Sequence, residues 1–61
     1  MKNKNITVVI LTFNEEIHIE RCIRSALGIT DNIIVIDSYS TDDTLKILKK
    51  YKIKVYQNKF I

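Results

Sequence analysis

Val8-Val9-Ile10-Leu11-Thr12-Phe13-Asn14-Glu15-Glu16 and Ile34-Val35-Ile36-Asp37-Ser38-Tyr39-Ser40-Thr41-Asp42-Asp43-Thr44 are the two stretches from which the fold of this chain is read. Each is an apolar run that ends in a polar cluster, and each cluster opens an amphipathic helix. In α/β proteins that junction is the carboxyl end of a parallel strand, where ligands bind. Two such junctions, one βα unit apart, predict the start of a nucleotide-binding sheet.

Working outward, residues 6–11 are almost uninterruptedly apolar and β-branched, which suits a parallel strand covered on both faces. Asn14 is placed to cap the following helix, and Glu15 and Glu16 suit its first turn. Ile19, Cys22, Ile23, Ala26 and Leu27 make one helical stripe, so Cys22 is expected in the core and His18 in solvent. Gly28 then reads as a left-handed residue ending the helix. Residues 33–36 form a second apolar strand, and Ser40 or Thr41 is expected to cap a second helix with Thr44, Ile47, Leu48 and Tyr51 inward. Residues 52–57 alternate lysine with apolar side chains, the pattern of an edge strand with one wet face. The fold class that follows is α/β: a β-α-β-α-β unit with a parallel three-stranded sheet in the order 3-2-1.

The chain has 61 residues, one cysteine, and 46% hydrophobic content. That is the composition of a globular core, not of a disordered segment. A chain this short buries only about 60% of its unfolded surface and is marginal without staples. Cys22 alone allows no intrachain disulfide, and with His18 supplies too few ligands for zinc. No apolar run approaches the roughly 20 residues of a membrane helix. The basic N-terminus lacks the apolar stretch and small-residue site of a signal peptide, so a cytoplasmic setting is the default. The apolar first strand, with nothing to pair its second edge, is expected to be the N-terminal part of a larger α/β domain. Residues 1–61 are accordingly taken as one partial domain without an internal boundary.

Charge is unevenly spread. Residues 46–61 hold six lysines (Lys46, Lys49, Lys50, Lys52, Lys54, Lys59) and no acid. A solvated helix face and a protected edge strand account for them better than an anionic partner does, and no pattern for nucleic-acid readout accompanies them.

Asp37 is the strongest candidate for chemistry. At a strand's carboxyl end its carboxylate can accept from the imide N–H of uracil or from ribose hydroxyls, or it can cap its own turn. Thr12, Phe13, Asn14 and Glu15 form the facing lip: Phe13 can pack on a flat base and Glu15 can reach a ribose hydroxyl, while Asn14 and Glu15 also fit a capping role. Ser38, Ser40, Thr41, Asp42 and Asp43 fit capping better than phosphate or metal binding, since two carboxylates in a first turn repel phosphate. No glycine-rich phosphate loop is present.

The stretches VVILTFNEE, ERCIRSAL and NIIVIDSYSTDDT resemble the N-terminal nucleotide-binding half of the family 2 glycosyltransferases, the GT-A fold. The resemblance runs from about Ile6 to Lys59. It implies inverting transfer of a sugar from a nucleotide donor, first a UDP-sugar, to a surface-glycan or lipopolysaccharide-type acceptor. It implies that Thr12, Phe13 and Glu15 line the nucleoside pocket, that Asp37 reads the base, and that Ser38 stands beside it. It also implies a divalent metal, Mg or Mn, held by an Asp-x-Asp motif that lies beyond these residues, as do the catalytic base and the acceptor region. Catalytic and metal-ligating residues are therefore expected outside this chain, which alone is expected to be inactive. Tyr39 departs from the family, which has glycine there. The full enzyme would be cytoplasmic or peripheral at the inner face of the membrane, with no nucleic-acid partner, and the free strand edge predicts self-association. The alternative is a nucleotide-binding module or remnant without turnover.

Overall fold

The structure, a computed structural model, describes residues 5–59. Its elements are β1 (Val8–Thr12), α1 (Ile19–Leu27), β2 (Ile33–Asp37), α2 (Thr44–Lys50) and β3 (Lys54–Gln57). All three strands are parallel in one sheet, ordered β1-β2-β3, as the apolar runs and the lysine alternation predict. The register aligns Thr12 with Asp37 and Asp37 with Gln57, so the three strands end level with one another.

Side chains on a strand alternate between faces. Val8, Ile10 and Thr12 of β1 share a face with Ile33, Val35 and Asp37 of β2. Ile33 and Val35 are buried against Ile19, Ile23 and Ala26 of α1 and Leu48 of α2. Both crossovers step in the same direction, and right-handed connections then set both helices on one face. The opposite face carries Val9 and Leu11, which are 56% and 63% exposed, and Tyr56. The expected cover on both faces of β1 is thus provided on one face by the described residues.

Cys22 is exposed rather than in the core. The reason lies in how α2 approaches. Glu20 and Arg24 of α1 bond to Tyr51, which follows α2, so α2 packs on that flank of α1. Leu27 lies on the same flank and is partly buried, whereas Cys22 occupies the other. His18 is exposed, as expected. Gly28 has φ −70°, not a left-handed value; its N–H donates to the carbonyls of Arg24 and Ser25. The left-handed turn occurs instead after α2, at Lys52 with φ 56°.

Neither expected helix cap forms. A turn closed by the N–H groups of His18 and Ile19 on the Glu15 carbonyl precedes α1, which displaces Asn14 from its start. At α2 the Asp42 carboxylate takes the N–H and hydroxyl of Thr44, so Asp42 does the work assigned to Ser40 or Thr41. No helix among the described residues is long and apolar enough to cross a membrane.

Candidate functional site

The site is built where the three strands end. Asp37 is fully buried, and its carboxylate is filled. Thr12 Oγ1 donates to Oδ1 at 2.6 Å, the Ser40 hydroxyl donates to the same oxygen, and the Ser40 N–H donates to Oδ2 at 2.8 Å. A carboxylate offers about four lone-pair positions, and these three bonds occupy most of them. Burial pushes the Asp37 carboxyl up, but the bonds from Ser40, Thr12 and Gln57 together outweigh it and hold the group below the usual carboxylate range. Asp37 is therefore an ionised post inside the site, with its carboxylate turned away from the open surface.

The two lips are laced together around this post. The Asn14 N–H donates to Ser40 Oγ at 2.8 Å, and that hydroxyl passes its own proton toward Asp37. The Glu15 N–H donates to Thr44 Oγ1 at 2.8 Å and the Glu16 N–H to Asp42 at 3.2 Å. In return Asn14 Oδ1 accepts the N–H groups of Thr41 at 2.7 Å and Asp42 at 3.3 Å. Asn14 holds φ at 49°, a left-handed value that asparagine tolerates better than most residues. Asn14 thus caps the neighbouring loop instead of its own helix. Burial pushes the Asp42 carboxyl up too, but bonds from Thr44 and Glu16 leave it lowered overall.

Phe13, Ser38, Tyr39 and Lys59 line a hollow of about 580 Å³ directly beyond the strand ends. Phe13 follows β1, Ser38 and Tyr39 follow β2, and Lys59 lies just after β3, so every strand contributes to it. The volume falls in the range of small-molecule sites, roughly 300–1,000 Å³. A smaller hollow of about 310 Å³, lined by Thr7, Asn32, Lys52 and neighbours, lies at the amino ends of the strands, the opposite end from ligand sites in this class of sheet.

The structure thus brings all six predicted residues to one end of the sheet but divides them. Phe13 and Ser38 face the hollow; Thr12 and Asp37 stand behind it; Asn14 and Glu15 bridge to the second lip. Three further residues stand there that the local sequence does not mark. Lys59 reads as one of the solvated lysines. Gln57 reads as part of the edge strand, although its position opposite Asp37 follows from strand register. Tyr39 reads as a departure from the family. Among the described residues no group of three or more His, Cys, Asp and Glu side chains converges to hold a metal.

No solved structure matches significantly. The chain is 50% identical over 52 residues to an uncharacterized glycosyltransferase of Rickettsia typhi, covering 85% of this chain and 18% of that protein. It is 46% identical over 52 residues to an uncharacterized glycosyltransferase of Rickettsia conorii, with the same coverage of 85% and 18%. It is 48% identical over 44 residues to the SPbeta prophage-derived glycosyltransferase SunS of Bacillus subtilis, covering 72% of this chain and 10% of that one. The chain therefore spans less than a fifth of the length of these relatives. The model of the glycosyl transferase family 2 matches residues 7–60, almost the whole of this chain, which belongs to that family.

Proposed function

We propose that the protein acts in glycosyl transfer from a nucleotide-sugar donor, and that residues 5–59 supply the part that binds the nucleoside. The observation that carries this reading is the hollow formed by Phe13, Ser38, Tyr39 and Lys59 at the carboxyl end of a parallel sheet. Aromatic rings suit a base, a hydroxyl suits its polar edge, and an ammonium suits the negative charge of a diphosphate. Glu15 is exposed on the first lip, and its carboxylate is the group assigned to the ribose hydroxyls in this reading. Thr12, Asn14 and Asp37 act from behind by fixing the loops that carry Phe13 and Ser38.

UDP is the nucleotide expected first, the transfer inverting, and the acceptor a surface glycan or glycolipid handled at the cytoplasmic side of the membrane. Family membership supports donor transfer in general. The test is a titration of the protein with UDP, ADP and GDP, read residue by residue by NMR. Shifts centred on Phe13, Ser38, Tyr39 and Lys59, strongest for UDP, are the expected result. No response to any nucleotide would overturn the reading. Nucleotide binding without sugar transfer to any acceptor by the full-length protein would favour a binding module instead.

A further inference from the structure

Tyr39 is held in a conformation that its side chain disfavours. Its φ is 52°, in the left-handed region where a Cβ crowds the backbone and where bulky residues are rare. Glycine would adopt this turn without strain. Two interactions impose it. The Tyr39 N–H donates to Gln57 Oε1 at 2.8 Å, and the next residue, Ser40, turns back to give both its N–H and its hydroxyl to Asp37. The turn is therefore required by the site, but the tyrosine is not required by the turn. Tyr39 is also 59% exposed and borders the same hollow as Phe13. A strained, exposed aromatic residue at the wall of a hollow points to a role in what enters it.

We propose that Tyr39 is a second aromatic wall of the nucleoside pocket, an affinity-determining residue that covers the donor's base together with Phe13. The inference rests on the donor reading given above. Any planar base offers a π-face to such a wall, so Tyr39 contributes affinity for the nucleoside moiety and not for the phosphates. The base's polar edge is left to Ser38 and the diphosphate to Lys59, which lie in the same hollow.

Three variants test this: Tyr39→Gly, Tyr39→Leu and Tyr39→Phe, each measured for thermal stability and for affinity toward uridine and UDP by calorimetry. Tyr39→Gly removes the ring and the strain together, so it is expected to fold with a Tm at or above that of the parent. Its affinity for uridine and for UDP is expected to fall by the same factor, about tenfold. Tyr39→Leu keeps the bulk and strain but loses the π-face, and is expected to bind as weakly as Tyr39→Gly. Tyr39→Phe is expected to bind within about twofold of the parent. Unchanged affinity in Tyr39→Gly, or a loss for UDP with none for uridine, would overturn the inference and leave the donor reading standing. Failure of the parent protein to bind any nucleoside or nucleotide would overturn both.

Discussion

Thr12 and Asp37 are 25 residues apart in the chain and 2.6 Å apart at their side-chain oxygens. They are register partners on β1 and β2, both buried, and their hydrogen bond joins the two strand ends from which the site is built. A carboxylate without this donor would keep its burial cost and lose part of its compensation. Thr12→Val, nearly isosteric, is expected to destabilise the protein by about 1–3 kcal/mol. Thr12→Ser keeps the hydroxyl and should lose less. Chemical denaturation of the two variants is the measurement; a loss in Thr12→Ser with none in Thr12→Val would show that the methyl group, not the bond, matters.

Asp37 should also leave a signature in acid. Its folded-state carboxyl lies below the ordinary range, despite burial, because of the bonds from Ser40, Thr12 and Gln57. A depressed folded value stabilises the protein above the unfolded value of about 3.9 and ceases to do so as pH falls through the folded one. Glu20, held down chiefly by the Tyr51 hydroxyl, and Asp42 are lowered as well, so the parent curve alone does not isolate Asp37. The stability difference between the parent and Asp37→Asn does. It is expected to be constant above about pH 5 and to shrink below about pH 4. Unfolding curves across that interval check it.

Asn14 couples the lips through an amide that accepts from Thr41 and Asp42. Asn14→Ala removes that acceptor and puts a less tolerant residue at φ 49°. A cost of about 1–2 kcal/mol is expected, with faster hydrogen exchange at the Thr41 and Asp42 amides. Asn14→Gly relieves the backbone but not the lost acceptor, so it should recover part of the stability and none of the exchange protection. Native-state exchange by NMR reads both.

Cys22 gives a simple check on the packing of α1. Being exposed, it should react with a thiol reagent at the rate of a free surface cysteine under native conditions. Cys22→Ser should change stability by no more than about 0.5 kcal/mol. Reaction only on unfolding would place it in the core instead.

The open face of the sheet carries Val9 and Leu11 side by side with β2, and exposed apolar strands of this kind associate. Concentration-dependent sedimentation is expected for the chain. Leu11→Lys, on the face away from the helices, should reduce it with little effect on folding.

The strand order, the parallel sheet and the gathering of the candidate residues at the strand ends were legible in the sequence because they depend on local signals. Unbroken apolar runs, a helical stripe and a lysine alternation each report on a few neighbouring residues, and right-handed connection then leaves little choice of topology. Membership of the glycosyltransferase family was legible for the same reason, since its motifs sit within two short stretches. The roles within the site were not. Whether the Asp37 carboxylate meets a ligand or the protein depends on Thr12 and Ser40, which reach it from the ends of β1 and β2. Whether Asn14 caps its own helix or the opposite loop depends on where that loop lies, 27 residues away. Cys22 and Leu27 look alike on one helix, and only the flank on which α2 settles separates them. Lys59 differs from the other lysines only because β3 ends beside the hollow. In each case the deciding neighbour is distant in the chain, and only folding brings it into contact.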